Sequence, residues 1–449
     1  VNPKSATLEP GLASSWGYSD DGQQVTFQLP GNLTWSDGSA MTAETIAEGL
    51  QATEHPALRA FSNIEATDDE TLKLTFTTID CGAVTTLGQL PLIPASHITK
   101  TIPAGSGPFI VDDWSEDQKS LTLTQNPNYH RDRPYLDRLS IRFLQATEST
   151  FALSEGQFDL IGPLSSPLSD QLNGLETLPN GFTDVAYPKA QMLYLAINFA
   201  PKNEPPLSEE VRQALTLALD REAILDEALQ GEGELLGSSL LAGHWAAESE
   251  VSPPPYDPEQ AKALLRQAGL RDNDNDGWLD QEGERLELSI RLNGGNQLHQ
   301  NLGWLISGYY RELGVFARAE GIPSFTVIED LFGHDYSLEL FSWRIQADPD
   351  QYLYWHSEEN ERGSGLNFTS YNNSQMDQIL ERGRAIEGCA VESRAQAYQA
   401  GQLILAEDRP VDFLMAPYQH LLVADHLYGV DPGPFAPFSW NAATWYIRK

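Results

Sequence analysis

The chain has 449 residues, 64 acidic against 28 basic side chains, a formal net charge of -36 and 41% hydrophobic residues. That balance leaves no basic face to neutralise phosphates, which excludes nucleic acid as a partner, and no apolar run is long enough to cross a bilayer. The length exceeds what one hydrophobic core usually organises, so two or three lobes are expected.

Val25, Phe27 and Leu29 alternate, and after Pro30-Gly31-Asn32 the residues Leu33-Thr34-Trp35 read as a second strand before the turn Ser36-Asp37-Gly38. Thr42 is placed to cap a helix that carries Ile46 and Leu50 four apart on its inner face. Leu72, Leu74 and Phe76 give another strand, so residues 1–104 form a small α+β lobe. Pro103 to Pro108 opens a new unit, with strands at Phe109 to Trp114, Leu121 to Thr124, Leu139 to Leu144 and Leu193 to Phe199. Between them Glu148 to Glu155 is a short helix ending at Gly156.

Ser208, Asp220 and Asp257 are each placed to cap a helix. The last is followed by Pro258 at the first helical position and by Gly269 past the end. Leu286, Leu288, Ile290 and Leu292 form a strand; Leu302 to Leu313 and Arg394 to Leu405 are helices. Strands alternating with helices over residues 206–415 indicate an α/β lobe. Cys81 and Cys389, far apart in sequence, form no framework and read as two unpaired, partly buried thiols. Val1-Asn2-Pro3 lacks the basic, apolar and cleavage regions of a secretory leader.

Two stretches carry candidate chemistry. Asp272-Asn273-Asp274-Asn275-Asp276-Gly277-Trp278-Leu279-Asp280 places oxygen ligands Asp272, Asp274, Asp276 and Asp280 as in a calcium loop, with Gly277 at the sharp bend. The position of the closing bidentate Glu is Gly283, with Glu282 and Glu284 out of register. A structural calcium site and a polar connecting loop both remain open readings. No cofactor is required by any other motif, and no nucleophile elbow, phosphate loop or paired metal histidines are present.

The second stretch runs from Phe341 to Tyr352. Tyr336, Leu338, Leu340 and Ser342 fall on one face of a strand and Ser337, Glu339 and Phe341 on the other, and Pro349 between aspartates ends it. Ser342, Trp343, Arg344, Gln346, Asp348, Asp350 and Tyr352 are therefore presented where a buried strand meets open space, good ground for a ligand.

Leu8 to Trp16 with Ser19-Asp20-Asp21-Gly22, then Trp35-Ser36-Asp37-Gly38, Gly105 to Phe109, Asn126-Pro127-Asn128-Tyr129, Pro134 to Asp137, Gly156 to Asp159, Val211 to Ala214, Leu219-Asp220-Arg221, Tyr256 to Ala261 and Asn367 to Asp377 succeed one another in a familiar order. In that order they resemble the family 5 extracellular solute-binding proteins, which deliver dipeptides, oligopeptides or nickel to ABC importers. The resemblance implies an α/β, bilobal periplasmic-binding-protein-like clamp with an extra small lobe and mixed sheets flanked by helices. Residues 1–104 would be lobe II, 105–200 and 421–449 lobe I, and 201–420 lobe III. Members of the family carry a further stretch, with strands of lobe I, ahead of the point where the resemblance starts.

By the same resemblance the protein would be a monomer and not an enzyme. It would be extracytoplasmic, periplasmic or lipid-anchored, and its partners would be a peptide or other small-molecule ligand and the importer's membrane permease. Closure of lobe III over the solute shifts the population toward the form the permease recognises. In peptide-binding members an Asp three residues after the tryptophan equivalent to Trp343 pairs with the peptide amine. Here that position is Gln346, with Asp348 next in line. A peptide-like solute is the first reading. An oligosaccharide or other polar solute stacking on Trp343 and Tyr352, a chemoreceptor-type sensor and a hydrolase are the alternatives.

Overall fold

A computed structural model describes residues 1–115, 119–144, 157–171, 178, 180–202, 206–281 and 283–448. The helix expected over Glu148 to Glu155, and Glu282 beside the acidic loop, lie outside the described residues. The chain divides into two compact units, one of Val1–Tyr187, Arg384–Arg394 and Gln419–Lys449, the other of Pro188–Gly383 and Ala395–Tyr418.

In the first unit the alternating segments pair into an antiparallel sheet in the order Ser15–Tyr18, Gln24–Gln28, Thr71–Phe76, Phe61–Ala66. Val25, Leu72, Leu74 and Phe76 bury one side of it, together with Ile46 and Leu50 of the helix Ala43–Ala52. That helix starts at Thr42, whose hydroxyl accepts the Thr45 N–H while Thr45 answers the Thr42 N–H, a reciprocal cap.

The strand expected at Leu33-Thr34-Trp35 is not formed. A single bridge joins Thr34 to Ala40 across the Asp37 turn, and Trp35 is 1% exposed beneath it. Asp37 accepts the Ser39 N–H and hydroxyl, and that local turn chemistry uses the segment's polar groups instead of a ladder. A second antiparallel sheet holds Phe109–Trp114, Ser120–Gln125 and Arg138–Arg142.

The cysteines also depart from expectation. Cys81 and Cys389 are joined in a disulfide with Cα atoms 5.4 Å apart, and both are buried. The Cys81 N–H donates to the Arg384 carbonyl at 2.9 Å, so backbone pairing sets the two sulfurs side by side despite their separation in sequence.

The second unit is built on a sheet in the order Gly233–Leu235, Val411–Ala424, Gln191–Ile197, Leu338–Arg344, Glu287–Asn293, Phe316–Ile322. The strand Val411–Ala424 gives its residues up to Tyr418 to this unit and the rest to the other. The two last strands of the order are parallel, joined through the helix Gln297–Glu312, and the strands at the other end pair antiparallel. Helices Glu209–Leu217, Arg221–Leu229 and Pro258–Gln267 begin at Ser208, Asp220 and Asp257, each side chain accepting a first-turn N–H. Leu193, Leu195, Ile197, Ile290, Leu338 and Leu340 from the strands meet residues of these helices in one core.

Candidate functional site

Register across Gln191–Ile197 and Leu338–Arg344 sorts the second unit's central strands into two faces. Leu193, Leu195 and Ile197 stand opposite Ser342, Leu340 and Leu338, the core side. Met192, Tyr194 and Ala196 stand opposite Trp343, Phe341 and Glu339 on the other. Because strand side chains alternate, Trp343, Phe341 and Glu339 project together.

The second face is aromatic. The Trp343 ring meets Tyr354 edge-on with centroids 4.5 Å apart, Phe368 at 5.9 Å and Phe341 at 6.0 Å, and Phe341 in turn meets Tyr194 at 6.2 Å. Met192, Tyr194, Trp343, Tyr354, Phe368 and Thr369 are among the residues around a cavity of about 20 Å³, room for one water. Trp343 itself is half-buried, and Gln346 is exposed. Trp343 and Gln346 both hydrogen-bond Tyr354, while burial pushes the Tyr354 phenol up. The structure thus gathers Trp343 and Gln346 around one hydroxyl.

The remaining residues singled out in this stretch are placed differently. Ser342 projects to the core face, and Arg344 is exposed at the strand end. Asp348 accepts the Asp350 N–H at 3.1 Å and Asp350 accepts the Tyr352 N–H at 3.0 Å. Those two aspartates shape the turn around Pro349, where a proline has no N–H of its own to offer. Asp348 is 9% exposed, whereas Gln346 stands in the open. Tyr352 stacks on His356 at 4.0 Å and donates to Glu358 at 2.9 Å. Gln351 anchors the turn from behind, accepting from the Ser239 hydroxyl and the Trp355 indole N–H.

Met192, Tyr194, Tyr354, Phe368 and Glu339 were not singled out from the sequence. The strand period that grouped Glu339 with Phe341 points on to Trp343, but the cross-strand partners and the covering segment 352–369 come from elsewhere in the chain. Glu339 is fully buried, and neither carboxylate oxygen has a hydrogen-bond partner among the described residues. Burial, reinforced by the charge of Asp330, pushes its carboxyl up to about 9, against a smaller opposing pull from Arg291.

Of the acidic loop, Asp272, Asp274 and Asp276 come together, with ligand atoms within 4.8 Å of one another, and all three are exposed. Asp280 does not join them; it pairs with Arg285 in a short hairpin. Arg285 also forms an ion pair with Asp276, and the three carboxylates accept the N–H groups of Gly277, Asp276 and Trp278. The loop's charges are partly answered by its own backbone and by a cation of the chain.

The chain thus combines a two-unit α/β frame with a mixed sheet whose one face is core and whose other face is an aromatic surface beside an exposed amide. Residues 7–364 match the family described as bacterial extracellular solute-binding proteins, family 5 Middle, and the chain belongs to that family. The oligopeptide-binding protein AppA of Bacillus subtilis is 27% identical over 81% of this chain and 66% of its own length. Heme-binding protein A of Haemophilus influenzae is 26% identical over 90% of this chain and 78% of its own. Among solved structures, HbpA2 from Haemophilus parasuis superposes with a TM-score of 0.83 at 20% identity, covering 100% of this chain and 92% of that one. The fold is therefore that of the family's binding proteins.

Proposed function

We propose that the chain is the solute-binding component of an ABC importer and that it takes a peptide-like solute on the surface formed by Trp343, Tyr354 and Gln346. The observation that carries this reading is the half-buried Trp343, held edge-on by Tyr354 at 4.5 Å with the Gln346 amide on the same hydroxyl. Aromatic faces accept the apolar and planar parts of a peptide, and an adjacent amide can both donate to and accept from its backbone. Gln346 brings no charge, so a peptide amine gains only a neutral acceptor there. AppA, named for oligopeptides, supports the class of solute.

The protein works outside the cytoplasm, in the periplasm or anchored at the cell surface, as a monomer that hands the solute to a membrane permease. It makes and breaks no bond, needs no cofactor, and with a formal charge of -36 has no nucleic-acid partner. A calcium ion on Asp272, Asp274 and Asp276 would be structural, and it would compete with Arg285 for Asp276.

Native mass spectrometry of the protein isolated without denaturation tests the reading. A small peptide should be retained by the wild type and lost from Trp343→Ala, whose affinity should fall at least ~tenfold, as for an aromatic anchor in an interface. Unchanged retention by the variant would refute this placement of the site.

A further inference from the structure

We propose that Glu339 is the acidic end of a side-chain pocket that receives a cationic group of the solute, a primary ammonium or a guanidinium, which enters past Trp343. The inference rests on the assignment of the Trp343 surface as the solute site.

A carboxyl that is 0% exposed and has no partner for either oxygen is costly to bury, and buried polar groups are nearly always answered by something. Arg291, the nearest cation by register, is committed elsewhere. It pairs with Asp330 at 2.8 Å and donates to the Asp335 carbonyl. Glu320, on the neighbouring strand Phe316–Ile322, accepts from the Ser289 hydroxyl. The charged groups bearing on Glu339 are therefore Asp330 from the helix Ser324–Gly333, Glu320, and Arg291 with its opposing pull. Tyr194 and Tyr336 flank it as neutral phenols. Asp330 is answered by Arg291 and Glu320 is exposed to solvent, so the Glu339 carboxyl is the buried acid left without a cation beside it.

The place of that demand connects it to the cavity. Ala196, directly across the ladder from Glu339, lines the cavity, and so does Tyr194, which interacts electrostatically with Glu339. Trp343 lies on the same face four residues along, about 13 Å at ~3.3 Å per residue. A lysine or arginine side chain covers part of that span, and Phe341, between the two on the same face, is the ring it must pass. Glu339 lies behind the lining of this cavity, and Tyr194, Trp343 and Tyr354 line it with π faces, which attract a cation as it loses its water. The cavity of about 20 Å³ is too small for such a group, so Trp343 or Tyr354 must rotate outward on entry.

Charge is conserved through a proton. In the empty protein the carboxyl is neutral. When R–NH3+ arrives, the Glu339 O–H bond breaks, the proton leaves to solvent, and the carboxylate pairs with the ammonium. Binding of a basic solute then releases a proton that binding of a neutral one does not.

Calorimetry with Ala-Lys-Ala and Ala-Ala-Ala, near neutral pH in two buffers of different ionisation enthalpy, tests this on the whole protein. The lysine peptide should bind at least ~tenfold tighter, with about one proton released per peptide. In Glu339→Gln the preference should fall to near unity and the proton release should vanish. Equal affinities in the wild type overturn the inference and leave the peptide reading standing. A lysine preference that persists in the glutamine variant also overturns it, with a resident water left as the partner of the carboxyl. If neither peptide binds but agmatine does, with proton release lost in the variant, the cation pocket stands and the peptide reading falls. If none of the three binds, both fall.

Discussion

Glu339 is held neutral by its surroundings, and that has a consequence for stability without any solute. Its folded carboxyl keeps a proton up to about 9, whereas the unfolded chain releases it near the ordinary 4.5. Between those values the folded state binds more protons than the unfolded one, so this contribution to stability is complete below the lower value. It falls as pH rises and levels off above the upper one. Glu339→Gln cannot ionise and escapes the loss. Urea unfolding should find the variant more stable at pH 8 by on the order of 2–4 kcal/mol and close to the wild type near pH 4. Parallel stability curves across that range would mean the carboxyl is solvated in the folded chain. Gln346 works in the opposite sense: it is an uncharged residue at an exposed position, so its chemistry was legible from its letter alone. The burial of Glu339 was not legible, because in a strand of alternating character nothing local distinguishes a covered second face from a solvated one.

Elements whose signals are local came out as their residues suggest. The helices starting at Thr42, Ser208, Asp220 and Asp257 begin where a side-chain oxygen can accept a first-turn N–H, and Pro258 adds a preset backbone angle. Strand pairing is a non-local matter, and there the sequence was a poorer guide: Leu33-Thr34-Trp35 alternates but finds no ladder, and Ser15–Tyr18 pairs with Gln24–Gln28 in its stead. The link between elements is also non-local at Arg221, in the first turn of Arg221–Leu229. Its guanidinium donates to the carbonyls of Thr216, Leu219 and Pro254 and pairs with Asp412 of the strand Val411–Ala424, both side chains being 2% exposed. Burial still holds the Asp412 carboxyl above its ordinary range, although Arg221 pulls it down. Removing one partner leaves the other charge buried and uncompensated, so Asp412→Ala should lose about 3–5 kcal/mol in denaturant unfolding. An apolar pair, Arg221→Met with Asp412→Leu, should recover most of that loss. Equal losses in the single and double variants would show that the pair, and not an orphaned charge, sets the stability.

At the scale of the molecule, a net charge of -36 works against compactness through self-repulsion, and a covalent link opposes it. The disulfide between Cys81 and Cys389 spans 308 positions of sequence. It fastens the Arg384–Arg394 segment, which the chain contributes to the first unit from within the run of the second, to the stretch just past the strand Thr71–Phe76 of that unit. Cysteine spacing carries no hint of this, since only the fold brings the two backbones together. A bridge of this kind persists in an oxidising compartment, in keeping with a family of extracellular binding proteins. By chain entropy, closing so long a loop in the unfolded state should stabilise the native chain by on the order of 5 kcal/mol, and native-state strain would lower that figure. Alkylation of the unfolded protein should therefore add no label until a reductant is present, and then two. The reduced protein, or a Cys81→Ser, Cys389→Ser variant, should unfold at lower denaturant. Labelling of both thiols without reductant would show an open pair, and an unchanged midpoint after reduction would place the constraint on the 384–394 segment in its backbone pairing with Cys81.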